Sequence, residues 1–392
     1  MPAFSFRHIK DLYPVFWAKS VQMAKLIEEH IHRRQAAGED NVVRMRDWGS
    51  RATLDIIGVA GMDQDFQALS NPDNELNRQY RLIVSEPSLF EEAIFLIGML
   101  TSTQWLVRKL PLTRNRQMKK ASAYIRGTAR QMVRQKKLKL KGKKEAEEEE
   151  GLGKRRDIDI ISVALESGSF TEENLVDQMM TFLAAGHETT AGSLEWAVYS
   201  LAKHQDVQTR LREEVRANLP SVSWSESAEQ PPISAAAVDA LPYLNAVCNE
   251  VLRFYPPVRF TCRMASRDTE IVGNYIPKGT VVSFRPDVVN RSETLWGPDA
   301  ATFQPERWMG PGQANTGGAS SNYGVLTFLH GPRSCIGQGF SKSELACLVA
   351  VVVGRFHLEL ADPNKELEIT RGGVTTKPRD GALVRLTPLE GW

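Results

Sequence analysis

The sequence predicts a mainly α-helical fold with a minor β component. Apolar residues recur at helical spacings through most of the chain up to about residue 254. Short runs with turn residues follow, such as TEIVGNYIPKGTVVSF, LEIT and ALVRL, and these are typical of strands. Hydrophobic residues make up 42% of the 392 positions and charged residues 24%, as in globular domains. The sequence contains no internal repeat, and we expect one domain over residues 1–392.

Most of the predicted helices are apolar or amphipathic segments with recognisable ends. DLYPVFWAKSVQMAKLIEEHIHRR ends in basic residues, which favour a helix C-terminus. WGSRATLDIIGVAGM and EEAIFLIGMLTSTQWLVRKL are further apolar helices, and DIDIISVALESGSF contains a short one. DVQTRLREEVRANL is an amphipathic surface helix. The helix in ALPYLNAVCNEVLRFYPP stops at Pro256 and Pro257, which cannot continue it.

The longest predicted helix runs from Thr171 to about Lys203. At about 1.5 Å per residue it would span roughly 50 Å, enough to cross the domain. Ser169 and Glu172 have the spacing of a capping box at its start. In its middle, AAGHETTAG interrupts the apolar pattern, and an interior glycine costs about 1 kcal/mol relative to alanine. The explanations are a polar helix face or, alternatively, a ligand site or altered backbone, where an acid beside an alcohol can carry protons.

Residues 136–156, KKLKLKGKKEAEEEEGLGKRR, differ from the rest of the chain in composition. Blocks of like charge are usually solvated loops or frayed helices. The alternative is a contact with a membrane or a partner. We predict a charged loop that links two helices and is not a domain boundary.

Charge and cysteine content exclude several classes of protein. The formal net charge of +2 lacks the basic excess of a nucleic-acid binder. The four cysteines have no Cys-x-x-Cys spacing, and a chain of this length needs no disulfides, so we expect reduced thiols. No segment approaches the ~18 consecutive apolar residues of a membrane span. The first residues also lack the pattern of a signal peptide.

Glu250 and Arg253 lie three residues apart on an otherwise apolar helix. Such a pair shares one face, and on a surface it would stabilise the fold little. The apolar surroundings favour an inward-facing pair, which needs further hydrogen-bond partners. Arg307, in FQPERW, is the candidate for that partner.

Cys335 stands in TFLHGPRSCIGQGF, between glycines and close to Arg333. It can be a buried small hydrophobe, a nucleophile assisted by His330, or a thiolate ligand of a metal. For the third interpretation, Gly331 and Gly337 would let the backbone approach a flat cofactor. The following helix would stabilise a thiolate, and Arg333 would pair with a carboxylate of the cofactor.

FLHGPRSCIG resembles the haem-binding signature of the cytochrome P450 superfamily, Phe-x-x-Gly-x-Arg-x-Cys-x-Gly. AGHETT resembles its oxygen-activation motif, EVLR its Glu-x-x-Arg motif and FQPERW its Pro-Glu-Arg segment, all in the family's order. The chain is most similar to eukaryotic microsomal members of the fungal kind. The resemblance extends over nearly the whole chain and implies a cytochrome P450 fold.

The resemblance implies a role for each matching residue. Cys335 would be the axial thiolate of the haem iron, with Arg333 on a haem propionate and Phe328 beside the thiolate. Glu188 and Thr189 would form the acid–alcohol pair that delivers protons. Glu250, Arg253 and Arg307 would form a buried structural network. The substrate pocket would include Met180, Ala184, Ala185, Val258, Val374 and Thr375.

The resemblance also implies a cofactor and partners. The cofactor would be haem b, and electrons would come from NADPH through NADPH–cytochrome P450 reductase, with cytochrome b5 as a second donor. The substrate would be a lipophilic small molecule, into which one oxygen atom is inserted. We expect a monomer that binds no nucleic acid. The full-length family member would reside at the cytosolic face of the endoplasmic reticulum membrane.

The front of the chain departs from the family pattern. Family members begin with a membrane anchor, a first sheet and the first helices, one of which carries a Trp/His-x-x-x-Arg motif. No such motif precedes PAFSF in this sequence. We therefore expect an N-terminally truncated fold without a transmembrane anchor. The alternative to a monooxygenase is a truncated, non-catalytic fragment with weak or no haem binding. A third hypothesis, rearrangement or dehydration without external electrons, is disfavoured by the Glu188–Thr189 pair.

Overall fold

The computed structural model describes residues 4–100, 104–107, 109–110, 112–150, 159–168, 170–222, 233–365, 367–370 and 375–392. The described chain is mainly helical with small sheets, as predicted. Its α-helices are, in order, α1 (Phe6–Asp11), α2 (Tyr13–Ala36), α3 (Met45–Met62), α4 (Glu75–Val84), α5 (Leu89–Leu100), α6 (Gln104–Val107), α7 (Thr113–Glu150), α8 (Ile160–Glu166), α9 (Glu172–Lys203), α10 (Gln205–Asn218), α11 (Ala235–Asp239), α12 (Pro242–Phe254), α13 (Pro286–Val289), α14 (Glu293–Trp296) and α15 (Gln338–Arg355).

The strands pair into small antiparallel sheets. They are β1 (Val42–Arg44), β2 (Thr261–Met264), β3 (Thr269–Ile271), β4 (Asn274–Ile276), β5 (Val281–Phe284), β6 (Phe356–Leu360) and β7 (Leu383–Pro388). β7 lies between β1 and β6, with Val43 opposite Val384, while β2 pairs with β5 and β3 with β4. The predicted strand in ALVRL is confirmed as β7, whereas LEIT contributes only an isolated bridge at Ile369.

The long helix α9 is continuous from Glu172 to Lys203 and packs against α3, α7, α12 and α15. Its cap is Thr171, whose side chain accepts a hydrogen bond from the Asn174 amide. The capping box predicted at Ser169 is therefore wrong by two positions, and Ser169 itself lies outside the described residues. The predicted altered backbone at Gly186 is also absent. A Cβ there would lie 3.0 Å from Ile57 of α3, so close helix packing accounts for this glycine.

The prediction of a loop at 136–156 is wrong for residues 136–150, which continue α7. Lysine and glutamate are good helix formers, so the charge blocks do not stop the helix. Lys136 lies 2.7 Å from Asp159 at the cap of α8, and Lys137 lies 2.8 Å from Glu172 at the start of α9. These ion pairs fix the first part of the charged segment against neighbouring helices. Residues 151–156 lie outside the described residues.

The main hydrophobic core surrounds α9 and α15. The apolar run LACLVAVVV at 345–353 is buried on every side within α15, as expected of a central helix. A smaller cluster of buried side chains, Ala246, Trp296, Ala300 and Trp308, lies beside α12. Within the described ranges, no helix combines the length and the apolar character that crossing a membrane requires.

Candidate functional site

Cys335 lies in a tight connection between a 3₁₀ helix at Gly331–Arg333 and the start of α15. The Cys335 amide donates a hydrogen bond of 2.8 Å to the carbonyl of Phe328, which closes the loop. Gly331 has φ +75°, a left-handed conformation that favours glycine, and a Cβ there would meet nothing within 4 Å. Burial raises the pKa of the Cys335 thiol, and the amide of Gly337 partly opposes that effect.

A cavity of about 320 Å³ separates the Cys335 loop from α9. Phe328, Arg333, Cys335 and Gly337 line one wall, whereas Gly331, the fifth residue of the expected cofactor site, does not line the cavity. Ala185, Gly186 and Thr189 of α9 line the opposite wall. The remaining lining is largely apolar and includes Phe4, Ile57, Phe182, Leu252, Val258, Leu329 and Phe340.

The predicted substrate residues divide between the cavity and other places. Ala185 and Val258 line it, whereas Met180 packs against the core and Ala184 is exposed outside the cavity lining. Thr375 lies on the Glu188 side of α9, where its hydroxyl donates to the carboxylate at 3.4 Å. Val374 lies outside the described residues. Thr181 and Phe182, which lie between Met180 and Ala184 in α9, do line the cavity.

The structure does not bring Glu188 and Thr189 to the same cavity. Thr189 faces Cys335 and donates its hydroxyl at 2.8 Å to the carbonyl of Ala185. Glu188 points to another side of α9, where it is buried and ion-paired with Lys377. Consecutive helical residues lie about 100° apart around the axis, which separates the two side chains. The pairing of Lys377 with Glu188 could not be predicted from the sequence, because the two residues are 189 positions apart.

Glu250, Arg253 and Arg307 form the buried cluster that their motifs predict. Arg253 donates to both carboxylate oxygens of Glu250 at 2.7 and 2.8 Å, and Arg307 Nε donates to Glu250 Oε1 at 3.2 Å. The carboxylate of Glu250 accepts two further hydrogen bonds, from the Gln304 amide at 2.8 Å and from Trp308 Nε1 at 3.0 Å. The side chains of Glu250 and Arg253 are both 0% exposed.

Asn290, which sequence reasoning missed, connects this cluster to the Cys335 loop. Its side chain donates to the carbonyl of Arg253 at 3.1 Å and to the hydroxyl of Thr327 at 2.8 Å. It also accepts from the amide of Leu326 at 2.7 Å. Thr327 immediately precedes Phe328. The cluster and α12 therefore position the segment that leads into the Cys335 loop.

The residues around Cys335 fit a flat, apolar ring with an anionic edge. Cys335 offers a thiol to the cavity between walls that are mostly hydrocarbon. Arg333 lines the same space, and its guanidinium makes no hydrogen bond or ion pair with the described part of the chain. A cation without a protein partner suits a carboxylate on the ring. Haem b combines these features, because its propionates carry the negative charge.

The chain is similar to known cytochrome P450 proteins over nearly its whole length. The cytochrome P450 family profile matches residues 1–384. The chain is 54% identical over 392 residues to the cytochrome P450 monooxygenase sphH of Aspergillus fumigatus, covering 100% of this chain and 69% of that protein. It is 40% identical over 402 residues to the cytochrome P450 monooxygenase FSL4 of Gibberella zeae, covering 100% of this chain and 70% of the relative. It is 41% identical to the cytochrome P450 monooxygenase FUM15 of Gibberella moniliformis, with 99% and 70% covered. The chain therefore belongs to the cytochrome P450 family, whose members of this kind are monooxygenases.

Proposed function

We propose that the chain is a haem-thiolate monooxygenase that inserts one oxygen atom of O₂ into a lipophilic organic substrate. The observation that carries this proposal is the position of Cys335. Its thiol faces Ala185, Gly186 and Thr189 of α9 across an apolar cavity. A ligand atom on one wall and small residues on the other leave space for a ring with a reactive face.

The residues of the Cys335 loop hold the cofactor in this proposal. Cys335 would supply the thiolate ligand of the haem iron, Arg333 would neutralise a carboxylate of the ring, and Phe328 would shield the thiolate from water. Gly331 and Gly337 keep the backbone close to the ring. When bound, haem supplies the binding and reductive activation of O₂, which no protein side chain can perform. Glu250, Arg253 and Arg307 act structurally, since they hold α12 and, through Asn290, the approach to the loop.

Glu188 and Thr189 move protons from one side of α9 to the other. The hydroxyl of Thr189 lies at the cavity wall, where it could donate a proton into the cavity and regain one. Glu188, on the far side, is held in place by its ion pair with Lys377, and its carboxylate is the group that passes a proton on to Thr189. Release of the Glu188–Lys377 pair would let the carboxyl turn toward Thr189.

The electrons come from NADPH through NADPH–cytochrome P450 reductase, with cytochrome b5 as a second donor. The substrate class follows from the cavity, whose hydrocarbon walls favour an apolar ligand. We place the full-length protein at the cytosolic face of the endoplasmic reticulum as a monomer.

The ferrous–CO absorption spectrum of the haem-loaded protein tests this proposal. We expect the red-shifted Soret band of thiolate ligation, and its loss in Cys335→Ser. Cys262→Ser is the matched control, because Cys262 is an exposed cysteine outside the cavity and should leave the band unchanged. An unshifted band in the wild type, or identical CO spectra for Cys335→Ser and the wild type, would overturn the proposal. A wild type that takes up no haem would favour the non-catalytic alternative.

A further inference from the structure

A second cavity, of about 310 Å³, lies against a different face of α9 from the one that faces Cys335. We call it the polar chamber. Its α9 wall consists of Glu188, Ala191, Gly192 and Glu195. At about 100° per residue, this face is roughly 120° from the Cys335 face around the helix axis. The remaining charged groups that face the chamber are Arg44 and Arg46 near the start of α3, Arg81 of α4, Glu86, and Lys377 and Arg379 of the C-terminal segment.

Some buried polar atoms that line the polar chamber have no hydrogen-bond partner among the described residues. Glu195 is 1% exposed, and its Oε1 completes no hydrogen bond, although Arg46 Nη2 lies 3.3 Å away. Arg46 Nε, on the same wall, is also buried without a partner. A polar cavity of this size holds water, whereas a purely apolar one would stay dry. At about 30 Å³ per molecule, the chamber has space for roughly ten waters.

Gly192 leaves an opening in the α9 wall of the chamber. The residue is buried, yet a Cβ built on it would meet nothing within 4 Å. No side chain or backbone of the described residues therefore fills the space beside the helix at this point. It lies between the positions of Glu188 and Glu195, which are two helical turns apart on the same face.

The spacing of the two carboxylates suits transfer through water. Seven residues of helix separate their positions by roughly 10 Å along the axis. Two or three water molecules, at about 2.8 Å per hydrogen bond, bridge such a gap once the side-chain lengths are included. Each carboxylate has its own cation, Lys377 for Glu188 and Arg46 for Glu195. Neither carboxylate has to pair with the other to be stable.

We propose that the polar chamber is a water-filled proton store for Glu188, and that Glu195 is its inner proton-holding residue. The proposal rests on the function proposed above, in which Glu188 and Thr189 supply protons to the apolar cavity. A proton from solvent enters the chamber water, binds the Glu195 carboxylate, and passes through water to Glu188. Both carboxylates return to their starting charge, and no other reactant is consumed. Because Glu195 acts through Glu188, it is a positioning residue and not a catalytic one.

The electrostatics of Glu195 suit this role. Burial raises the pKa of Glu195 to about 7, against the opposing effects of Arg46 and Lys377. Both its protonated and its ionised form are therefore present near neutral pH, as a residue that takes up and releases protons requires.

The first arm of the test uses infrared spectra of the purified protein and needs no turnover. In the wild type we expect a protonated-carboxyl band that titrates near neutral pH and is absent from Glu195→Gln. Glu195→Asp should restore a band at a shifted position. A wild-type spectrum without this band, or a band that persists unchanged in Glu195→Gln, would overturn the proposal.

The second arm uses the haem-loaded protein with reductase, NADPH and O₂ as the probe, without organic substrate. Glu195→Gln should lower the rate of NADPH oxidation at least about tenfold and raise its H₂O/D₂O ratio, with partial rescue in Glu195→Asp. Gly192→Leu fills the chamber and leaves both carboxylates in place. It should likewise lower the rate of NADPH oxidation and raise the H₂O/D₂O ratio. Gly127→Leu is the matched control, since Gly127 lies in α7 with equally open space at its Cβ.

Unchanged rates and isotope ratios in both Glu195→Gln and Gly192→Leu would overturn the relay. Failure of the proposed function is a separate result. In that case the thiolate CO spectrum is missing from the wild type, while the infrared band still reports whether Glu195 holds a proton.

Discussion

Two groups of buried charges lie beside two helices of this protein, and they are built differently. The cluster at α12 is closed: Glu250 accepts five hydrogen bonds, from Arg253, Arg307, Trp308 and the Gln304 amide. The polar chamber at α9 is open: Glu195 is almost as buried, but its Oε1 faces a cavity without a hydrogen-bond partner. A closed cluster leaves no site for an additional proton and holds the fold, whereas an open one leaves space for water and for protons to move.

The largest expected effect is the loss of stability when the closed cluster is broken. Glu250→Gln leaves Arg253 buried without a counter-charge and leaves Arg307 with Asp299 as its remaining carboxylate. Removing one partner of a buried pair costs about 3–5 kcal/mol, and we expect a loss of that size in urea unfolding. Glu39→Gln, which removes a partner of Arg34 at the surface, is the control and should cost less than about 1 kcal/mol. Equal losses in the two variants would contradict a structural role for the α12 cluster.

The next largest expected effect is the pH dependence of stability that Glu195 in the polar chamber contributes. Burial raises the pKa of Glu195 from its ordinary 4.5 to about 7, so between these values the folded chain holds a proton that the unfolded chain has released. The stabilisation from Glu195 is fully present below the unfolded pKa and is lost as the pH rises through the folded pKa. At about 1.4 kcal/mol per unit, the loss is about 3 kcal/mol.

Glu195→Gln removes this titration and should be measured beside the wild type. The difference in the free energy of unfolding, wild type minus variant, should fall by about 3 kcal/mol between about pH 4 and pH 8. Other carboxylates cancel in that difference. Parallel curves of unfolding free energy against pH for the two proteins would contradict the raised pKa of Glu195. They would mean that water in the chamber solvates its carboxylate as bulk water does.

The sequence predicts the closed cluster at α12 better than the polar chamber at α9. The reason is the distance along the chain between the interacting residues. Glu250 and Arg253 share one helical turn, and Cys335 stands in a short motif, so local spacing identifies them. The pairing of Glu188 with Lys377, of Glu195 with Arg46, and of Asn290 with Thr327 crosses 37 or more positions. Only the packed chain brings these groups together. The helix at 136–150 was missed for a related reason, because its ion pairs with Asp159 and Glu172 come from other elements.

The smallest expected effect compares two glycines of α9. Gly192 faces the open chamber, so Gly192→Ala should stabilise the protein by up to about 1 kcal/mol through helix propensity. Gly186 is the matched control, because its Cβ would lie 3.0 Å from Ile57. We expect Gly186→Ala to be less stable than Gly192→Ala in thermal unfolding. The reverse order would mean that the chamber wall at Gly192 is closed.

The central claim, that Cys335 binds the haem iron across the cavity from α9, is tested most directly by resonance Raman spectroscopy. The haem-loaded protein is compared with and without ³⁴S-labelled cysteine. An iron–sulfur stretching band should shift to lower frequency on labelling, persist in Cys262→Ser and disappear in Cys335→Ser. A spectrum with no isotope-sensitive band, or a labelled band that survives in Cys335→Ser, would contradict the assignment.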